Sequence, residues 1–227
     1  MILNSKIIGN QKKVLIILHG LFGSLDNWYS IAKELSLHYQ VHILDQRNHG
    51  KSFHNKTHNY DIMSNDVYNY INYHNIKEPT ILGHSMGGKT AMVFAFHYPM
   101  HLNKLIILDI GPKSYINNYS ELIYTLIEID NANLNSRKKA QLILENKNID
   151  NKTIQFLLKN LFWHKEKLKF RFNLYAIENS IDKLMSFDYL DSCWDGPCFF
   201  IRGDQSNYIL DSDSRLIKKY FLNSSLI

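Results

Sequence analysis

Only two cysteines and four prolines occur in 227 residues, and no apolar stretch reaches the roughly 18 uninterrupted residues of a membrane-crossing helix. These scarcities exclude several classes. Cys193 and Cys198 lie close together with no further ligands at workable spacing. Neither a disulfide framework nor a metal centre is expected of them, and both read as packing thiols. The N-terminal stretch MILNSKIIGNQKK lacks the basic start, apolar run and small-residue cleavage site of a secretory signal, so a cytoplasmic protein free of membranes is expected. A block of one charge sign is missing too. The net charge is +5, but the lysines are scattered, and the densest basic stretch, HKEKLKFR at 164–171, contains an acid; nucleic acid is not an expected partner.

What is present is globular composition: 45% hydrophobic, 13% aromatic and 21% charged residues, enough apolar material for a sizeable core. Short, branched apolar runs recur at Val14–Leu18, Val41–Leu44, Thr80–Leu82 and Leu105–Leu108. The first and last of these read as strands buried on both faces. Between the runs lie segments of helical spacing at 26–39, 61–74 and 89–98. Strand and helix in alternation predict a parallel sheet. From Lys113 the strand-like runs stop for about seventy-five residues. Amphipathic stretches at 121–129, 137–144 and 153–162 predict an all-helical insertion there. The sheet resumes at Cys198–Ile201, and a last helix is expected over 212–220.

Gly83-His84-Ser85-Met86-Gly87 lies between a predicted strand and a predicted helix. In that context Gly-x-Ser-x-Gly marks a sharp turn presenting a serine hydroxyl, with glycines where a Cβ would collide with the neighbouring strand and helix. The free N–H groups of the following helix favour a developing oxyanion. Ser85 is therefore the candidate nucleophile. His19-Gly20-Leu21-Phe22-Gly23 follows the first core strand.

The segments HGLFGSLDNW (19–28), DQRNHGKS (45–52), GHSMGGK (83–89), LDIGP (108–112), IQFLLK (154–159) and RFN (171–173) together resemble the α/β-hydrolases, and among them the small bacterial YbfF-type esterases. The matches span nearly the whole chain. The resemblance implies a single α/β-hydrolase domain with a mostly parallel sheet, helices on both faces and a helical lid, the core being 1–112 and 191–227 and the lid 113–190. It implies an oxyanion hole built from the N–H groups of Leu21 and Met86. It also gives the 45–52 loop a bracing role, with His49 outside the chemistry.

In this superfamily the triad acid commonly stands three residues beyond a glycine after the penultimate strand; counted from Gly203, that place is Ser206. The YbfF-type esterases carry it at the end of the strand after the nucleophile helix, which implies Asp109 here, with Asp204 as the alternative. A carboxylate directly after the apolar run LIIL also needs a partner or a function to offset its desolvation. The resemblance puts the base in a loop after the final strand. The last of the 11 histidines is His164, and FLNSSLI matches at most the approach to that strand. The base histidine is thus expected to be absent from this chain, Ser85 to be slow, and the strand at 198–201 to present an exposed apolar edge. Among possible substitutes, His84 is expected to leave the turn on the far side and join the core, His19 to orient the oxyanion loop, and His164 to ride on the lid.

The expected reaction is hydrolysis of short-chain carboxylic esters or acyl thioesters, with no metal or organic cofactor. Two rivals stand beside it. One is a pimeloyl-carrier-protein methyl ester esterase, whose acidic carrier protein would suit the basic stretch Lys165–Arg171. The other is a catalytically impaired or dead remnant.

Overall fold

The computed structural model describes residues 1–227. Its core runs β1 (Ser5–Ile8), β2 (Val14–Leu18), α1 (Tyr29–Leu35), β3 (Gln40–Leu44), α2 (Tyr60–Tyr73), β4 (Thr80–His84), α3 (Met86–His97) and β5 (Lys104–Leu108). Next comes the insertion: α4 (Ser120–Asn131), α5 (Arg137–Glu145), α6 (Asn151–Leu158), β6 (Leu161–His164), β7 (Lys167–Phe170), α7 (Leu174–Glu178) and α8 (Ile181–Met185). The chain returns to the core through β8 (Cys198–Ile201), α9 (Ser214–Tyr220) and β9 (Ser224–Leu226). The main sheet has seven strands in the order β1-β3-β2-β4-β5-β8-β9. Only β1 is antiparallel, pairing with β3. The mostly parallel architecture expected from alternating strand and helix is therefore present, and no helix is long and apolar enough to cross a membrane.

Apolar burial is unequal on the two faces. One face carries a contiguous cluster of 45 buried residues reaching into the insertion, the other a cluster of only 7 around Leu15, Ile17, Ala32 and Ile43. Leu15–Leu18 of β2 are at most 2% exposed, so the expectation of burial on both faces holds at the centre of the sheet. It fails at β5, where Leu105 and Ile107 are buried while Ile106 and Leu108 are half-buried against the smaller cluster. The helix expected over 26–39 is shorter. A 3-10 turn at Leu25–Trp28 precedes α1, whose only buried residue is Ala32. β1 is a strand that the apolar pattern does not announce, because its positions are exposed or half-buried.

Two expectations about the rest of the chain are corrected. The insertion is not all helical: β6 and β7 form an antiparallel hairpin in the register Leu161↔Phe170 and Trp163↔Leu168. Leu161, Leu168 and Phe170 are buried, while Arg171 covers the Phe162 ring at 4.9 Å. Its turn residues, Lys165 and Glu166, have φ of 47° and 39°, a conformation normally announced by Asn-Gly or Asp-Gly; this sequence hides it. The second correction concerns the edge. FLNSSLI does not stop short of a strand, because Ser224–Leu226 pairs in parallel with Cys198–Phe200. The Ile227 N–H donates to Phe200 O at 2.9 Å and the Arg202 N–H to Ile227 O at 3.0 Å. β8 is an interior strand.

Candidate active site

β4 delivers the chain into the turn at Ser85, whose backbone has φ 51° and ψ −117°. A non-glycine residue in that region is strained and is held only by its surroundings. The holding contacts are the Ser85 N–H donating to Leu108 O at 3.1 Å and the Lys89 N–H donating to Ser85 O at 3.0 Å. The flanking glycines permit the close approach: a Cβ at Gly83 would run into the Gly87 backbone, and one at Gly87 into the Leu18 and His19 carbonyls. As expected, strand and helix leave no room for a side chain at either position.

Ser85 opens into a cavity of about 360 Å³ lined by His19, Gly20, Leu21, His84, Asp109 and Tyr119 among others. A second, narrow space of about 20 Å³ runs inward between Ser85, Met86, Lys89, Ile110, Tyr115 and Met185. Leu21 and Ser85 border both. Neither the Leu21 nor the Met86 N–H donates to a protein acceptor, and both residues line the narrow space with Ser85. Asp109 follows β5 with φ 52°, and its N–H donates to Ile201 O at 2.8 Å. Its Oδ1 is buried with no hydrogen-bond partner. A buried acceptor of this kind costs stability unless something completes it. Asp204, the alternative acid, is exposed and borders neither cavity.

The loops beneath are braced by neutral histidines. His19 accepts the Gln46 N–H on Nε2 at 3.0 Å and donates from Nδ1 to Gly20 O at 2.8 Å. His49 accepts the Phe22 N–H on Nε2 at 3.2 Å and donates from Nδ1 to Arg47 O at 3.0 Å. Each backbone N–H requires an acceptor, which fixes the tautomer and disfavours protonation. Burial pulls the two pKa values down to about 4 and about 3. Asp45 accepts from Asn4 Nδ2, Leu25 N–H and Lys51 N–H at 2.7–2.9 Å. Arg47 clamps Asp66 bidentately. The 45–52 loop therefore braces, as the resemblance implied.

His84 departs from expectation. It is half-buried rather than part of the core, and it lines the same cavity as Ser85. Its ring packs 6.1 Å from Trp28, with Nδ1 close over Gly20. Burial lowers its pKa against the pull of Asp109. His164 is exposed on the lid hairpin. None of the 11 histidines hydrogen-bonds Ser85 or Asp109, so no Ser–His–Asp relay is assembled within these residues. Sequence reasoning missed Tyr119 and Tyr208, which border both cavities and whose hydroxyls meet at 3.2 Å. It also missed Asn160, whose Nδ2 reaches from the lid to Phe22 O at 2.9 Å. Only the tertiary fold brings Tyr119 and Tyr208 beside the serine and Asn160 onto the loop at Phe22.

Residues 13–192 match the family model of the alpha/beta hydrolase fold. The chain is 34% identical over 215 residues to the sn-1-specific diacylglycerol lipase ABHD11 of Danio rerio, covering 91% of this chain and 68% of that protein. It is 30% identical over 196 residues to esterase YbfF of Escherichia coli (strain K12), covering 86% and 75%. A solved structure titled marine microorganism esterase superposes with TM-score 0.94 at 38% identity, over 100% of this chain and 90% of that one. The elbow, the sheet order and these matches agree, and the chain belongs to the α/β-hydrolase family.

Proposed function

We propose that this chain is a serine esterase acting on short-chain carboxylic esters or acyl thioesters. Ser85 is the nucleophile, Asp109 the carboxylate that orients the base, and the Leu21 and Met86 N–H groups the oxyanion hole. The observation that carries the reading is the strained Ser85 at the mouth of a cavity, flanked by two unengaged amides. Preorganised donors of that kind stabilise the charge developing on the carbonyl oxygen and remain effective when the proton relay is weak. The orphaned Asp109 Oδ1 on the same wall supports the second role, since an imidazole N–H is the group that would complete it. The relatives named as esterase and lipase favour ester chemistry. The inner space of about 20 Å³ holds little more than a water molecule, which favours small acyl groups.

Without an imidazole at Ser85 Oγ, the hydroxyl attacks slowly. Loss of a triad member costs roughly 10⁴ to 10⁶ in kcat, with the oxyanion hole supplying residual rate. The carrier-protein reading has less support: of the basic stretch, Lys169 is already paired with Asp130 and Arg171 is held over Phe162, leaving Lys165 and Lys167 exposed. The test is covalent labelling. A fluorophosphonate is expected to modify Ser85 slowly and no other serine, as read by peptide mass spectrometry. Equal labelling of Ser85→Ala would sink the assignment.

A further inference from the structure

Lys89 stands one helical turn beyond Ser85 on α3 and is 2% exposed. No carboxylate lies within ion-pair distance of its ammonium. A buried cation without a counter-ion is costly, and its partners here are backbone carbonyls. Nζ donates to Leu184 O at 3.3 Å, Met185 O at 2.9 Å and Ser186 O at 3.0 Å. These carbonyls lie at the C-terminal end of α8, where helical partners run out. Tyr60, Tyr115 and Phe187 surround the ammonium with their rings at 5.0–5.9 Å, and the Tyr60 hydroxyl donates to the same Leu184 carbonyl at 2.7 Å.

The two ends of the lid meet at this point. The Tyr115 N–H donates to Met185 O at 2.9 Å, and the Phe187 N–H to Ser114 Oγ at 3.0 Å. The outgoing segment after β5 and the returning segment after α8 are thus tied to each other and, through Lys89, to the helix that begins at the nucleophile. Leu184, Met185, Tyr115 and Lys89 itself form the wall of the narrow space that starts at Ser85.

We propose that Lys89 is a positioning residue that determines acyl-chain specificity: its ammonium pins both stalks of the lid to the nucleophile helix and so holds the inner wall of the acyl pocket close to Ser85. Burial pulls its pKa down to about 7, so the charged form that donates to these three carbonyls is complete only below that pH and is lost as pH rises through it. The titratable groups near it are Tyr60 on α2, Tyr115 on the outgoing stalk and Asp188 beyond α8. The consequence for acyl groups rests on the proposed role of Ser85; the clamp itself does not.

The experiment therefore has two arms on the 227-residue protein. In the first, hydrogen exchange is followed in Lys89→Met and Lys89→Arg. The Met variant is expected to exchange roughly 10- to 100-fold faster at 113–116 and 184–187, with the central strands unchanged, and Arg to restore part of the protection. In the second, Ser85 labelling is timed with ethyl and dodecyl fluorophosphonates. The long-to-short rate ratio is expected to rise about tenfold in Lys89→Met and to fall back toward wild type in Lys89→Arg, an effect that general loosening of the fold does not produce. Unchanged stalk exchange, or equal loss throughout the sheet, overturns the clamp; an unchanged ratio overturns the specificity role. If the wild type is not labelled at all, the Ser85 reading fails while the exchange arm still decides the clamp. Should Lys89→Met fail to fold, Tyr60→Phe, which removes the second donor to Leu184 O, is expected to loosen the same two segments, and no change there overturns the proposal.

Discussion

His19, His49 and His58 form a buried row beside the loop at residues 19–23, with ring centroids 5.1 and 5.7 Å apart. Burial pulls their pKa values down to about 4, 3 and 3. The unfolded chain binds protons near pH 6.5 and the folded chain does not, so stability rises with pH across this interval. The contribution is complete above about pH 6.5 and is lost as pH falls toward 3, on the order of 3 kcal/mol per histidine. Thermal melts between pH 7 and 4 are expected to show that decline. His58 differs from the other two in that neither ring nitrogen has a hydrogen-bond partner. His58→Leu is therefore expected to change stability at pH 7 by less than about 1 kcal/mol and to flatten the acid limb; a steeper acid limb in that variant would contradict this account. The sequence shows these imidazoles as a count and a loop motif. Their neutrality follows only from burial and from the N–H groups aimed at them.

β9 is the element on which the sheet's end depends. Ser224–Leu226 covers one side of β8, and Phe221, fully buried just before it, stacks near Phe96 and Phe200. Removing residues 222–227 would bare the β8 backbone and its apolar neighbours, and an exposed apolar edge recruits other chains. The shortened protein is expected to scatter light and elute as large species at concentrations where the full 227 residues remain monodisperse; matched elution profiles would refute this. The element was misread from sequence because three residues of Ser-Ser-Leu carry no strand signal of their own. The hairpin β6–β7 was misread for a related reason, its turn being Lys-Glu rather than a glycine-containing pair. By contrast β2, β4 and the elbow between β4 and α3 were legible, since an apolar branched run ending in Gly-x-Ser-x-Gly has few other structural solutions.

At the scale of the molecule, Ser85, Asp109 and the unengaged Leu21 and Met86 amides are the groups proposed as nucleophile, orienting acid and donors, and no imidazole hydrogen-bonds Ser85 or Asp109. A version extended by a Gly-His loop and closing helix of the YbfF type should deliver that ring between Asp109 Oδ1 and Ser85. Its hydrolysis of p-nitrophenyl acetate is expected to exceed that of the 227-residue protein by roughly 10² to 10⁴. Near-equal kcat, with both proteins shown folded by circular dichroism, would mean that a histidine already present serves as base; His84, which shares the cavity with Ser85 and Asp109, is then the first to replace by alanine.

What the sequence determined by itself was local: the apolar strands and the serine turn whose glycines admit no side chain. Each is set by a few neighbouring residues whose sterics or desolvation allow one arrangement. The tertiary structure decided what depends on partners distant in the chain. It turned His84 into the cavity, assigned Lys89 to carbonyls some 95 residues away, brought Tyr119 against Tyr208, and made a strand of Ser224–Leu226 by laying it along β8. Burial and pairing energies belong to contacts that exist only once the chain has folded, so no window of neighbouring residues could reveal them.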